Sequence, residues 1–163
     1  MEYELNPRTR IGHVHLTVAN LDRALKFYRD LMGFQVTARF GKDAVFLSSG
    51  NYHHHIGLNT WAGENATPAP QGHTGLYHYA ILYPSREELA KAFKRIWEAN
   101  YPIEGASDHG VSESVYIKDP DGNMIELYYD KLVEQWPRDE DGNLIMVTKP
   151  LDVPDLLSEL DKI

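Results

Sequence analysis

His13, His78 and Glu126 combine side chains able to hold a divalent metal ion with matching places in strand-like runs. Each lies in a stretch whose neighbours must point to opposite faces if it is a strand. In the run 11–18, Val14, Leu16 and Val18 share one face, while His13, His15 and Thr17 share the other. His78 occupies the equivalent place in a second such run, 76–82, so that His13-x-x-Leu16 is matched by His78-x-x-Ile81. Glu126 stands between Ile125 and Leu127. If those two face a core, the carboxylate faces the other way. Two imidazoles and a carboxylate on one face leave several coordination positions open, which suits Fe(II), Mn(II) or a similar divalent ion with oxygen or substrate ligands. The commonplace alternatives are cleft histidines and a solvated strand carboxylate.

The elements that must position these residues come in the same order twice. After the run 11–18, apolar residues at Leu21, Ala24, Leu25, Tyr28, Leu31 and Met32 have helical spacing, with Ala19 or Asn20 at the start and Gly33 as C-cap. Strand-like runs at 34–40, 44–48 and 52–61 follow, divided by Gly41-Lys42-Asp43 and Ser49-Gly50-Asn51. Residues 62–74 are Pro/Gly-rich and polar, a linker. Beyond it the strand 76–82 leads to a helix 86–99, opened by Ser85 with Glu88 as a capping box and striped by Leu89, Ala92, Phe93, Ile96 and Trp97. Strands at 103–105, 115–117 and 124–129 complete the second set. Asp119-Pro120-Asp121-Gly122 joins the last two, because Pro presets φ, Asp bonds its own backbone and Gly accepts positive φ. The expected fold class is therefore α+β: two paired βαβββ modules forming a curved mixed sheet around a metal cleft. The expected boundaries are an arm at 1–10, modules at 11–62 and 75–131 joined by a linker at 63–74, and a tail at 132–163. In that tail 144–147 reads as a short strand and 152–160 as a short helix with Leu156, Leu157 and Leu160 on one side. If the modules pair about a pseudo-twofold axis, His13 and His78 converge with Glu126 nearby.

Composition narrows the field. The 163 residues suffice for one domain with a sizeable core. A net charge of −8 argues against a nucleic-acid partner. The absence of Cys excludes disulfide and thiol chemistry. No apolar run is long enough for a bilayer, and the polar run 1–10 lacks a signal-peptide core, so no membrane partner and a cytoplasmic location are expected.

Two stretches carry a family resemblance. His13-x-x-Leu16-x-Val18 followed by Leu25-x-Phe27-Tyr28-x-x-x-Met32-Gly33-Phe34 resembles the opening of vicinal oxygen chelate proteins. Asp119-Pro120-Asp121-Gly122-Asn123-x-Ile125-Glu126-Leu127 resembles their closing strand. That group includes glyoxalase I, fosfomycin- and bleomycin-resistance proteins and extradiol catechol dioxygenases. His109-Gly110-Val111-Ser112, Tyr116 and Glu126 are similar to the catalytic half of the dioxygenases, and His54-His55-Ile56-Gly57-Leu58 to their strand with the acid–base histidine. The resemblance implies His13, His78 and Glu126 as ligands of Fe(II), or of Mn(II) or another divalent metal. It implies His54 as a proton relay, with His55 as its rival, Tyr116 as a hydrogen-bonding partner of a substrate oxygen, and His109 as a wall of the pocket. The implied reaction partners are a small aromatic diol, or another vicinal-oxygen substrate, and O2. Familiar ring-cleaving enzymes carry a second pair of modules, so a single pair implies a smaller or more exposed site, or one completed by a second subunit in a homodimer.

Three rival readings share the fold. A glyoxalase I-like isomerase wants a carboxylate on the fourth strand of the first module, where this chain has His54 and His55. A fosfomycin-modifying transferase fits the His-His-Glu set but needs a thiol- or cation-binding surface. A metal-free binding protein of the bleomycin-resistance kind lacks the triad.

Overall fold

A computed structural model describes residues 2–63, 66–70 and 72–162. The chain divides into two compact units, residues 1–66 and 67–163, each with its own sheet.

In the first unit, β1 (Val14–Thr17) leads to α1 (Leu21–Leu25). Asn20 caps that helix in extended conformation, its Oδ1 accepting from Arg23 N at 2.8 Å. The helix does not stay α-helical to residue 32 as the periodicity predicts, but widens into π-helical turns over Lys26–Leu31. Ala24, Leu25, Phe27 and Tyr28 are nonetheless buried, so the apolar stripe survives the change of pitch. Gly33, at φ +87°, supplies the left-handed residue that ends the helix. Then come β2 (Gln35–Phe40), β3 (Ala44–Ser48) and β4 (Ile56–Asn59). The sheet order is β1-β4-β3-β2, with β1 and β4 parallel and the other neighbours antiparallel.

The expected strand 52–61 is only half a strand. Residues 52–54 leave the ladder, while His55 still joins it, its N–H donating to the Leu47 carbonyl at 2.9 Å and its carbonyl accepting from Val14 N at 3.0 Å. Thr37 Oγ1 donates to the His53 carbonyl at 2.7 Å, and His55 Nδ1 lies 2.9 Å from Ser48 Oγ and accepts from Ser49 N at 3.3 Å.

The second unit repeats the connectivity. It runs β5 (Tyr79–Leu82), α2 (Arg86–Glu98), β6 (Gly105–Asp108), β7 (Ser112–Lys118) and β8 (Met124–Asp130). The order is β5-β8-β7-β6-β9, where β9 is Lys149–Pro150, and β5 and β8 are parallel, as β1 and β4 are in the first unit. Ser85 Oγ accepts from Glu88 N at 3.2 Å, while the Glu88 carboxylate is engaged by Lys91 at 2.8 Å. Asn100, just past the end of the helix, takes the left-handed position at φ +52°. The Asp119 turn is built as expected: Oδ1 accepts from Asp121 N and Asn123 N at 2.9 and 2.8 Å, and Gly122 has φ +86°.

Strand β6 starts two residues later than the sequence suggests, and Ile103 stays outside it. The tail differs more. Its strand β9 is Lys149–Pro150 rather than 144–147, because the pairing edge available is β6: Ser107 faces Pro150 and Asp108 faces Lys149. The helix α3 (Val153–Ser158) continues into a 3₁₀ turn, Glu159–Asp161, and only Leu156 of its three leucines is fully buried. It packs on α2. Arg86 of α2 clamps this packing through Glu113 (2.7 Å), Asp155 (2.7 Å) and Glu159 (2.8 Å). Burial opposes the guanidinium charge, and these hydrogen bonds outweigh it, so the side chain holds its proton more firmly than a free arginine.

Among the described residues, no helix is long and apolar enough to cross a membrane.

Candidate metal and catalytic residues

The strand β8 splits its side chains cleanly. Ile125 and Leu127 are fully buried, as are Val115 and Ile117 of β7, and α2 packs on β8. Glu126 therefore faces the other way. The register places Tyr116 directly opposite Glu126 on β7, and Ala80 opposite it on β5. Residues at even spacing from these share the face: Ser114 on one side, His78 on the other.

The resulting contacts are short. Glu126 Oε1 accepts from Ser114 Oγ at 2.6 Å and lies 3.0 Å from Tyr116 Oη. Its other oxygen, Oε2, lies 3.1 Å from His78 Nε2. Tyr116 Oη also lies 2.8 Å from His109 Nε2. Four of the residues expected from the sequence, His78, Glu126, Tyr116 and His109, thus form one connected group in the second unit. Burial first, and Glu126 second, push the Tyr116 phenol up to about 12, so it keeps its proton at neutral pH.

His78 precedes β5 rather than lying within it, and its ring leans on Tyr77 and Tyr116. Its Nδ1 is buried and, among the described residues, meets no hydrogen-bond partner. A histidine lone pair and a carboxylate oxygen facing each other 3.1 Å apart repel unless a proton or a cation stands between them. Donors about 2.1 Å from one ion and this far apart subtend close to a right angle, the spacing of adjacent ligands. The donor set fits a divalent ion of the Fe(II) or Mn(II) kind. Among the described residues, no group of three or more His, Asp or Glu is placed to hold a metal ion, so His13 is not brought together with His78 and Glu126 as the sequence predicts.

His109 sits in the β6–β7 turn. Asp108 frames that turn by accepting from Gly110 N at 2.7 Å and pairing with Lys131 at 2.8 Å. Burial would raise the Asp108 carboxyl, but Lys131 and the Gly110 N–H overbalance it and hold it below the usual range.

In the first unit, His13 lies just before β1, with its ring 4.4 Å from that of His54. His54 also packs against Phe46 at 5.0 Å, and its Nδ1 is 2.7 Å from His53 Nδ1, so one of those rings donates and the other accepts. Burial and the neighbouring His13, His53, His15 and His55 hold the His54 imidazole below the ordinary value. His55, the rival, has its Nδ1 committed to Ser48 and Ser49. His15 packs between Phe46 and Trp61 at 5.8 and 5.6 Å.

Ser114 was not among the residues the sequence singled out. Its signal is only its place two residues before Tyr116, on the same face of a strand.

Comparison with known proteins decides the family. The profile of the Glyoxalase/Bleomycin resistance protein/Dioxygenase superfamily matches residues 10–127. This chain belongs to that superfamily. The superfamily match stops short of the tail, which the second unit nevertheless packs into its core. The chain is 41% identical over 152 residues to catechol-2,3-dioxygenase of Bacillus subtilis, a match covering 93% of this chain and 52% of that one. It is 28% identical over 121 residues to biphenyl-2,3-diol 1,2-dioxygenase 3 of Rhodococcus globerulus, covering 74% of this chain and 63% of that one. This superfamily member thus spans between half and two thirds of the length of these curated relatives. Among solved structures, lactoylglutathione lyase of Agrobacterium tumefaciens matches with a TM-score of 0.59 and 25% identity, over 76% of this chain and 96% of that one.

Proposed function

We propose that this protein is an extradiol-type dioxygenase, which uses Fe(II), or Mn(II) in its place, and O2 to cleave the ring of a catechol-like vicinal diol. The observation that carries the reading is the Glu126 group: a carboxylate and an imidazole at ligand spacing, with a phenol and a second imidazole in contact beside them. The 41% identity to a catechol-2,3-dioxygenase supports the same choice of reaction. In that reaction the ring carbon–carbon bond beside the diol breaks, and both oxygen atoms of O2 enter the product.

His78 and Glu126 hold the metal. His13 joins them on the strength of the sequence motif alone. When bound, the metal would supply a common anchor for diol and oxygen and a path for electrons from the diol to O2. Tyr116 stays a phenol and hydrogen-bonds a substrate oxygen. His109 holds Tyr116 in place and lines the pocket. His54, its imidazole pushed below the ordinary value by burial and its histidine neighbours, accepts a proton from the diol, a role that also enters from the motif.

The test is oxygen consumption by anaerobically purified, iron-loaded protein with a panel of catechols, alongside metal analysis. Oxygen uptake with formation of a yellow ring-opened product is expected. Failure of every diol, with isomerisation of a hemithioacetal instead, would move the protein to the lyases. His78→Ala and Glu126→Gln should each abolish bound metal with the fold intact. Full metal occupancy in both variants would defeat the assignment.

A further inference from the structure

The C-terminal segment touches the Glu126 group through one ring. His109 Nδ1 lies 3.0 Å from the Val147 carbonyl and 3.3 Å from Thr148 Oγ1, while its Nε2 lies 2.8 Å from Tyr116 Oη. The contact is built into the backbone. Val147 N donates to the His109 carbonyl at 3.2 Å, β9 pairs with β6 immediately beyond it, and Leu151 N donates to the Ala106 carbonyl at 3.4 Å. Gly110 completes the seat, because a Cβ there would come within 2.9 Å of Pro137 Cγ and 3.1 Å of Val147 Cγ2, at φ +79°.

We infer that residues 147–156 are a positioning element of the site, whose Val147 carbonyl holds His109 in the Nδ1–H tautomer and so decides where the Tyr116 hydroxyl hydrogen points. A carbonyl oxygen can only accept, so the Val147 contact requires a proton on Nδ1. The neutral ring then has a lone pair at Nε2, and that nitrogen must accept from Tyr116. A phenol has one hydrogen. Given to His109, it is drawn away from Glu126 Oε1, the competing acceptor at 3.0 Å, which keeps its bond from Ser114. Two consequences follow. The carboxylate keeps its remaining lone pairs for a cation, and the Tyr116 oxygen presents a lone pair outward, so it accepts from a substrate hydroxyl rather than donating to one. Were Thr148 Oγ1 the partner, it would donate to Nδ1, the proton would sit on Nε2, and the Tyr116 hydrogen would turn to Glu126. The Val147 contact is the shorter, and the exposed Thr148 hydroxyl has water as a partner. The consequence for substrate rests on the dioxygenase reading. The tautomer does not.

The experiment is imidazole ¹⁵N NMR of the full-length, metal-free protein at alkaline pH, where the ring is neutral, with His109→Gln identifying the resonances. The expected spectrum shows Nδ1 as the proton-bearing nitrogen and Nε2 as the bare one, and Thr148→Val leaves it unchanged. Gly110→Ala, which pushes Pro137 and Val147 off the turn, should exchange the two nitrogens or average them. A wild-type ring protonated on Nε2, or on both nitrogens, overturns the inference, and so does a Thr148→Val spectrum that switches tautomer. If Gly110→Ala does not fold, the wild-type and Thr148→Val spectra still decide. Because no metal or substrate is present, absence of oxygen uptake would sink the dioxygenase reading and leave this result standing.

Discussion

The hydroxyl of Ser114 donates to Oε1 of Glu126 across 2.6 Å, from the neighbouring strand and on the same face. Ser114 is fully buried, so this hydrogen bond has no solvent substitute. Partners behind a metal ligand orient it, and their loss typically weakens metal binding by about 10–100-fold. Ser114→Ala should therefore weaken divalent-metal affinity by that order in a calorimetric titration, with the fold unchanged. Undiminished affinity would mean that Glu126 does not carry the ion.

His54 is expected to act on protons rather than on metal. His54→Phe keeps the ring contacts with His13 and Phe46 and removes both nitrogens. Iron content should match the wild type while kcat falls by about 100-fold or more. Equal turnover would remove His54 from the mechanism.

Gly57 pairs with His15 on β1, and a Cβ at residue 57 would fall 2.8 Å from His15 Cγ. Gly57→Ala must push the imidazole off its packing against Trp61 and Phe46. We expect a shift in Trp61 fluorescence and a stability loss of about 1–3 kcal/mol in urea unfolding. An unchanged spectrum would show that the ring has room to yield.

Arg86 holds three carboxylates together, and Glu113 beneath it is buried. Arg86→Met keeps the aliphatic stem and leaves the Glu113 charge unpaired, at a cost of about 3 kcal/mol. The double variant Arg86→Met/Glu113→Gln should recover part of that loss. No recovery would locate the damage at Asp155 and Glu159, on the tail.

Asp108 has its carboxyl held low by Lys131 and the Gly110 N–H, against the opposing effect of burial. A depressed folded-state value contributes stability that is present above the unfolded value near 3.8 and is lost as pH falls through the folded value. Wild type should thus exceed Asp108→Asn in stability at neutral pH, and the two should converge on acidification. A gap independent of pH would place the effect in packing instead.

How much of this was legible beforehand follows from the range of the interactions involved. Two helical stripes, a helix start at residue 19 or 20, the cap at Ser85 and the Asp119 turn depend on neighbours within four residues, so composition and spacing determine them. The same local rule put Glu126 on the face away from Ile125 and Leu127. Longer reach defeated the reading. Where β4 begins depends on Thr37 taking the His53 carbonyl, while Ser48 and Ser49 hold the ring of His55. Which tail residues form a strand depends on where the edge of β6 lies. That Ser114, Tyr116 and His78 reach the two oxygens of Glu126 is a matter of strand register, which a backbone ladder sets and a one-residue slip would reverse. The sequence by itself thus determined the family, the repeated strand–helix order and the residue types able to do chemistry. Only the tertiary structure decided which side chains share a proton, because hydrogen bonds require donor and acceptor within about 3 Å, and that distance is set by residues far apart along the chain.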